Sequence, residues 1–377
     1  MLSLFDDYPI HQTPDPIAMP ASSDKDVYER YWFNGYSQAG DTYLGIGTAY
    51  YPHLDIRDCG ISFVVDGVQH AFHASTRAGD EPSDMTIGPF RLEIVEPMRS
   101  CRIVLDDNDT GWTADLTFEG RTANIEEPRH TWTRDLRRIM DTTRFTQLGH
   151  WSGTLRYGDD EVRFGGTDMP GTKDRSWGIR PLAGGDNRGA PALPRDFGLF
   201  FLWAPLHFDD LGVHYQLFED TKGRPLYTVG AFMPVYDSID QLPGVEDPAA
   251  RHMRNLEHDI TFSPTSRMID QATLAFTAID DGTRHEIVFD KQLTYRIKGI
   301  GYSHPEWGHG MWKDEVAVGA EQWRLDEVDD TAFENQHVQH LMRVTMGERT
   351  GIGVLEQNIL GPYEPYGLEG VISPPNG

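Results

Sequence analysis

The sequence has only two cysteines, Cys59 and Cys101, in 377 residues. Two cysteines cannot build the disulfide framework of a small secreted domain, and such sparse use is typical of a reducing compartment. No apolar run is long enough to cross a bilayer as a helix. The first 20 residues are acidic and interrupted by proline, unlike a secretory signal peptide. These absences predict a cytoplasmic protein without an integral membrane segment.

A positive charge balance is also missing. Lys and Arg number 33 against 59 Asp and Glu, so the formal net charge is −26 at pH 7. Nucleic acids and anionic membrane surfaces require a positive face on their partner, so we expect neither as a partner. The excess of acid argues against a polyanionic substrate as well, although it does not identify what the protein binds.

Several motifs of cofactor and nucleophile chemistry are absent. The sequence has no Walker loop, no Gly-x-Ser-x-Gly elbow and no Cys-x-x-Cys pair. Gly45-Ile46-Gly47 is followed by Thr-Ala-Tyr-Tyr-Pro, which does not open a helix as a dinucleotide-binding loop does. These absences argue against nucleotide-dependent enzymes and serine hydrolases.

What the sequence has instead is a wealth of strand-forming and turn-forming residues. It contains 9 Trp, 15 Tyr and 18 Phe together with 38 Gly and 24 Pro, a mixture typical of short strands joined by turns. Asp66-Gly67 separates two apolar runs, 61–65 and 68–73, and this predicts a β-hairpin. Similar runs recur along the chain, so we predict an all-β protein of sandwich or barrel architecture.

Composition shifts divide the chain into three parts. Residues 1–27 are rich in proline and lack periodicity, and we interpret them as an N-terminal arm. Residues 181–197 concentrate Gly, Pro, Asn and Asp, and they are the best candidate for a linker. We therefore predict one β domain over 28–190 and a second over 191–377, the latter ending in a tail.

Two short stretches resemble each other and carry ionisable groups. Residues 173–178 read Lys-Asp-Arg-Ser-Trp-Gly, and residues 303–308 read Ser-His-Pro-Glu-Trp-Gly. Each follows a β-like run and places an ionisable residue, Asp174 or His304, three positions before its Trp. We interpret the chain as two related β units that each contribute one Trp-Gly corner to a shared site.

Asp174 has two interpretations. As an acid, it would lie beside Trp177 in apolar surroundings that raise the pKa of its carboxyl, so that it could donate a proton. As a structural group, it would pair with Arg175 or Arg180 and lock the corner, because structural ion pairs are common. The residues alone leave both interpretations open.

The second corner offers three ligand-type side chains, those of His304, Glu306 and His309. Pro305 and Gly308 prevent the helical spacing of familiar metal sites, so we predict no metal. General acid–base use of either histidine is the stronger functional interpretation. A buried His–Glu hydrogen bond that holds the corner is the structural alternative.

The aromatic side chains near both corners could line an apolar pocket or fill a core. Core packing is the default for any single one of them. The candidates for substrate binding, with Arg175 as their polar companion, are Tyr51, Trp151, Trp177, Trp203, Tyr302 and Trp307.

Residues 149–153, the hairpin that follows and the stretch 171–180 resemble the lipocalin-related family that includes carotenoid 1,2-hydratase and uncharacterised bacterial proteins. The corner in that family reads Asp-His-Asn-Trp-Gly, so Asp174 and Trp177 match it, whereas Arg175 replaces the His. The resemblance implies two tandem lipocalin-like (calycin-like) β domains that hold an apolar ligand. It also implies addition of water to an isoprenoid double bond without a cofactor. The departure at Arg175 opens the second corner as an alternative source of the acid.

We therefore predict a cofactor-independent lyase (a hydratase or dehydratase) or isomerase that acts on a hydrophobic, isoprenoid-like substrate in an apolar pocket between the domains. Protonation of an alkene requires an acid kept neutral in an apolar cavity and aromatic faces near the carbocation. The alternative is a non-catalytic carrier of a hydrophobic ligand, in which the corners are structural latches. The shared-site hypothesis predicts that Asp174 and His304 open onto one cavity.

Overall fold

The protein was analysed as a computed structural model, which describes residues 1–11, 13–134, 136–182 and 198–375. Within these ranges the regular elements are strands and short 3-10 turns, and there is no α-helix. The prediction of an all-β protein is confirmed. No helix in this part of the chain is both long and apolar enough to span a bilayer. Both cysteines are buried and unpaired.

Twenty-one strands follow one another along the chain. In order they are β1 (Val27–Tyr36), β2 (Tyr43–Tyr51), β3 (Ile56–Val65), β4 (Val68–Arg77), β5 (Thr86–Ile87), β6 (Phe90–Glu96), β7 (Ser100–Leu105), β8 (Trp112–Gly120), β9 (Ile125–Glu126), β10 (His130–Arg134), β11 (Arg137–Tyr157), β12 (Asp160–Ile179), β13 (Leu199–Phe208), β14 (Gly212–Glu219), β15 (Pro225–Met233), β16 (Arg251–Phe262), β17 (Ile269–Ala278), β18 (Arg284–Arg296), β19 (Val316–Arg324), β20 (Val338–Met346) and β21 (Arg349–Leu360). The 3-10 turns are Leu4–Asp7, Ile239–Gln241, Ile297–Ile300, Leu325–Glu327, Phe333–Asn335 and Glu364–Tyr366.

The chain forms two compact units. The first comprises Met1–Ala183, Pro234–Pro248 and Gly299–Trp323, and the second comprises Gly184–Met233, Ala249–Lys298 and Arg324–Gly377. The sequence placed the boundary near residue 190, and most of the predicted linker, 183–197, lies outside the described residues. Two later segments, 234–248 and 299–323, fold with the first unit rather than the second. Both Trp-Gly stretches therefore belong to the first unit.

The first unit contains a sheet of thirteen strands in the order β19-β4-β3-β2-β1-β12-β11-β8-β7-β6-β5, with β9 and β10 paired to β11. The predicted hairpin joins β3 to β4, where Val65 pairs with Val68. Asp66 and Gly67 both have positive φ, +50° and +73°. This is the conformation of a two-residue turn whose twist matches that of antiparallel strands.

Alternate side chains of these strands form the core of the first unit. Phe33, Ile46 and Ile61 pair across β1, β2 and β3 and belong to one buried cluster. Trp151 lies in the same cluster, with its indole N–H donated to the carbonyl of Asn34 at 2.8 Å. Since strand side chains alternate between faces, this cluster defines an inner face, and the residues between its members form the outer face.

The second unit contains a closed barrel of eight strands, β13-β14-β15-β16-β17-β18-β20-β21. Its core includes Leu202, Ala204 and Leu206 of β13 and Tyr215 of β14. Trp203 is fully buried but lies between Leu202 and Ala204, so its side chain is on the face of β13 away from this core.

Candidate active site

Strand β12 divides the first Trp-Gly stretch between two faces. The sequence predicted a corner here, but the strand continues to Ile179. Arg175 lies opposite Tyr31 of β1, an inner-face residue, whereas Asp174 lies opposite Trp32 on the outer face. Trp177 is two residues beyond Arg175 and shares its face, because Arg175 lies over the indole ring at 5.3 Å.

A chain of polar contacts runs along the inner face from Arg175 to the N-terminal arm. The buried Arg175 Nη2 donates to Glu29 Oε2 at 2.5 Å, and His11 Nδ1 lies 2.8 Å from Glu29 Oε1. Burial alone would raise the Glu29 pKa, but Arg175 and His11 together lower it below its ordinary value. The imidazole of His11 stacks on Trp177, with ring centroids 4.2 Å apart and 17° between the planes.

The N-terminal arm is held on the first unit by buried polar groups. Asp7 is fully buried, forms an ion pair with the buried Lys173, and accepts the Met98 N–H at 2.6 Å. Its carbonyl accepts the Tyr31 hydroxyl at 2.7 Å. Burial of a charge is costly unless it is paired and hydrogen-bonded, so these contacts fix the arm. The fixed arm in turn places His11 next to Glu29.

A cavity of about 450 Å³, which we call the arm pocket, opens between the arm and the ends of several strands. This volume suits a small organic ligand. Most of its lining is apolar or aromatic, and four lining side chains are ionisable. The lining residues are Pro9, His11, Ile17, Ala18, Pro20, Ala21, Ser22, Val27, Tyr28, Glu29, Tyr50, Pro52, Pro82, Arg129, Asp141, Thr143, Trp177, Gly178 and Ile179.

Asp141 and Arg129 form a second polar group in this lining. Arg129 Nε donates to Asp141 Oδ1 at 2.5 Å, and Arg138 Nη1 donates to Asp141 Oδ2 at 2.8 Å. The hydrogen bond from Arg129, assisted by the one from Arg138, outweighs burial and lowers the Asp141 pKa. Asp141 is therefore a carboxylate shared by two guanidinium groups.

The second Trp-Gly stretch lies within a segment, residues 299–312, that we call the cover because it packs on the outer face of β2–β4. Ile300 rests on Gly60, where an added Cβ would come within 2.7 Å of the Ile300 Cα. Trp307 stacks on His73 of β4 at 5.3 Å and 8°. The N–H of Gly310 donates to Asp58 Oδ2 at 2.7 Å. The cover is thus attached to the sheet along its length.

His304 has both of its ring nitrogens engaged. Nδ1 accepts the backbone N–H groups of Glu306 and Trp307 at 3.0 and 2.8 Å, so the ring proton is on Nε2. Nε2 lies 2.6 Å from Glu321, whose carboxylate also receives His73 Nε2 at 3.1 Å. Burial alone would raise the Glu321 pKa, but the two histidines lower it.

The ligand atoms of His73, His304 and Glu321 all lie within 4.8 Å of one another, close enough to consider a metal ion. A metal-bound neutral imidazole, however, must carry its proton on the other nitrogen. For His304 that nitrogen is Nδ1, which already accepts two N–H groups. The donor set does not fit a metal, and the three residues act as a hydrogen-bonded latch for the cover.

Further polar groups lie under the cover. Burial raises the Asp58 pKa to about 6. His309 Nδ1 is 3.9 Å from Asp58 Oδ1. Arg30 Nη2 donates to the Tyr51 hydroxyl at 2.7 Å, and its guanidinium lies over the Tyr302 ring at 4.9 Å. Tyr51, Tyr302 and His309, all candidates from the sequence, therefore meet on the outer face.

The remaining predicted site residues are dispersed. Asp174 pairs with Arg144 at 3.3 Å on the outer face of β12, and Glu306 is exposed. Three strands separate β12 from β4, where His304 and His73 meet. Four strand spacings correspond to about 19 Å. Asp174 and His304 are therefore not brought together, and Arg175 and Trp177 are the predicted residues that reach the arm pocket or its polar chain.

Sequence reasoning missed His11, Glu29, Arg129 and Asp141. His11 belongs to a proline-rich segment that was interpreted as a tail. Glu29 reaches the site through its strand register, since it pairs with Trp177 across β1 and β12. No local spacing connects these residues, so no sequence motif would have identified them.

Comparisons with known proteins support the fold. A model for a family of unknown function, DUF8625, matches residues 2–369. No curated protein sequence matches the chain significantly. Kievitone hydratase from Nectria haematococca is similar in structure, with 10% identity over 88% of each chain and a TM-score of 0.51. The structure of CghA with Sch210972 is also similar, with 11% identity over 94% of this chain and 97% of that one and a TM-score of 0.51. These likenesses show a shared fold.

Proposed function

The chain belongs to the DUF8625 family of unknown function, and we propose that it is a cofactor-independent hydratase, dehydratase or isomerase that acts on a small hydrophobic molecule in the arm pocket. The observation that carries this proposal is an imidazole at a ligand-sized cavity, His11, held by Glu29 and stacked on Trp177. Kievitone hydratase, which shares the fold, gives hydration chemistry its place in the proposal.

His11 is the group that we assign to proton transfer. Imidazole is the side-chain type that exchanges protons near neutral pH. Nδ1 is engaged by Glu29, whereas Nε2 has no hydrogen-bond partner among the described residues and lies 3.6 Å from Asp6. Glu29 is a positioning residue that orients the ring, and Arg175 keeps Glu29 ionised for that purpose.

The proposed reaction conserves protons. In hydration, one alkene carbon gains a proton and the other gains the hydroxyl of a water molecule, whose remaining proton returns to the base. Dehydration is the reverse, and isomerisation removes a proton from one carbon and returns it to another. Positive charge develops on carbon in each case. The rings of Tyr50 and Trp177 line the cavity and can stabilise it through their π faces.

The alternative function is a carrier of a hydrophobic ligand. It is favoured by the predominance of apolar side chains in the lining of the arm pocket. A carrier does not require the ordered contacts from Arg175 through Glu29 to His11, so these contacts favour an enzyme.

The test begins with native mass spectrometry of the purified protein to detect a co-purifying lipid, because an isoprenoid-like substrate is part of the proposal. Incubation with isoprenoid alcohols and alkenes then monitors gain or loss of water. His11→Gln should lower turnover by about 100-fold or more while ligand binding persists. Asp174→Asn, on the opposite face, is the matched comparison and should retain turnover.

Each outcome has a distinct meaning. Loss of turnover in Asp174→Asn with retention in His11→Gln would reject the assignment to the arm pocket and favour the acid proposed from the sequence. Binding without turnover in the wild-type protein across the substrate panel would favour the carrier. Circular dichroism of both variants separates these outcomes from misfolding.

A further inference from the structure

We propose that the ligand of the arm pocket is an amphiphile with one carboxylate group, and that Arg129 binds this carboxylate. This inference rests on the proposed use of the pocket and specifies its substrate class. It starts from the observation that the lining combines a mainly apolar wall with one guanidinium that the neighbouring carboxylates do not saturate.

Both carboxylates of the lining have dedicated cationic partners. Glu29 is paired with the buried Arg175 from beneath the pocket. Asp141 is paired with Arg138, which is not itself a lining residue. His11, when protonated, faces Asp6 at 3.6 Å as well as Glu29. After these pairings, Arg129 is the lining charge without a carboxylate of its own, because it shares Asp141 with Arg138.

The geometry of Arg129 leaves its terminal nitrogens available. Its Nε donates to Asp141 Oδ1 at 2.5 Å, and this bond fixes the plane of the guanidinium. Nη1 and Nη2 have no hydrogen-bond partner among the residues that the structure describes, and the side chain is 65% exposed. A guanidinium held in this way presents a planar fork, which matches a carboxylate in a two-bond arrangement.

The rest of the lining indicates the other end of the ligand. Ile17, Val27 and Tyr50 contribute apolar surface to the same cavity. A molecule with an apolar body and one anionic end would bury the body there and place the end at Arg129. Because the whole protein carries a charge of −26, long-range attraction does not favour anions. Affinity for a carboxylate must come from this local contact.

The test compares two probes of equal chain length, decanoate and decanol, by isothermal titration calorimetry on the full-length protein. The wild-type protein should bind decanoate about tenfold more tightly, as expected for a charge-assisted hydrogen bond. Arg129→Gln should reduce the decanoate affinity to that of decanol and leave the decanol affinity unchanged. Arg129→Lys should retain part of the preference, since it keeps the charge and loses the fork.

The control is Arg163→Gln, which removes another exposed arginine of the first unit whose partner is Glu161. It should leave both affinities unchanged. Equal affinities of wild-type protein for the two probes, or a decanoate preference that survives Arg129→Gln, would overturn this inference while leaving the pocket intact. Failure of the wild-type protein to bind either probe would overturn the proposed use of the pocket as well.

Discussion

The arm pocket and the covered outer face of the first unit contain similar groups in different states. Each pairs a histidine with a glutamate and stacks an imidazole on a tryptophan, His11 on Trp177 in one case and His73 on Trp307 in the other. The arm pocket surrounds a cavity, and His11 keeps one nitrogen without a partner. Under the cover, both nitrogens of His304 are engaged.

The difference teaches how to separate a site from a latch. A polar cluster whose donors and acceptors are all satisfied stabilises the fold and specifies its packing. A cluster can take part in chemistry when one of its polar atoms is uncommitted and space for a ligand adjoins it. By this criterion the arm pocket is the candidate active site, and the cover is a structural element.

The comparison depends first on the arm staying in place, and Lys173→Met should have the largest effect on it. Asp7 and Lys173 are 0% and 1% exposed, so the substitution leaves a buried carboxylate without its cation. Removal of one partner of a buried pair costs about 3–5 kcal/mol. We expect a loss of this size in the free energy of unfolding, measured by urea denaturation, and faster proteolysis of the arm.

Arg137→Gln is the matched control, because Arg137 also binds the arm, through Asp24 at 2.7 Å, but is half exposed. An exposed ion pair contributes about 0–1 kcal/mol. Equal losses in the two variants would show that burial of the Asp7 pair does not hold the arm.

The all-β fold follows from local signals in the sequence, whereas the site does not. Alternating apolar residues and the Asp66-Gly67 turn specify hairpins directly, and the observed β3–β4 pairing agrees. Which face Asp174 occupies depends on the register of β12, and a shift of one residue exchanges the faces. Arg175 and Trp177 could be selected from sequence because the two lie in one stretch.

Long-range contacts account for what the sequence does not reveal. The His11–Glu29 pair joins the arm to β1 across 18 residues. The cover attaches to strands more than 200 residues earlier in the chain, as in the Gly310–Asp58 hydrogen bond. Such pairings carry no spacing pattern, so the assignment of 299–323 to the first unit required the structure.

Asp58→Asn sharpens the comparison from the side of the cover, through pH. Burial raises the Asp58 pKa from an ordinary 3.8 to about 6 in the folded protein. The folded state therefore binds this proton more tightly, so its contribution to stability is present below pH 3.8 and is lost as pH rises to about 6. The two pKa values correspond to about 3 kcal/mol.

Relative to Asp58→Asn, the wild-type protein should lose up to about this amount of stability between pH 4 and pH 7. Urea denaturation of both proteins at several pH values measures the difference, and other titrating groups cancel in it. A difference that is constant with pH, or that grows in favour of the wild type as pH rises, would contradict a buried and protonatable Asp58.

Gly60→Ala tests whether the cover is structural, and it should have the smallest effect on stability of the three. An added Cβ would lie 2.7 Å from the Ile300 Cα and 3.3 Å from the Gly299 carbonyl oxygen. Backbone atoms cannot yield as a side chain can, so the cover must shift, at a cost of about 1–3 kcal/mol. Hydrogen exchange over 299–312 should become faster.

Gly165→Ala is the control for this substitution, because its added Cβ would meet nothing nearer than the Asp168 carboxylate at 3.9 Å. It should be neutral or slightly stabilising, since alanine loses less backbone entropy on folding than glycine. Turnover should survive Gly60→Ala, because the cover contributes no residue to the arm pocket. If Gly60→Ala abolished turnover as fully as His11→Gln while the protein stayed folded, the outer face would be the catalytic region, since only there does the added methyl group displace side chains.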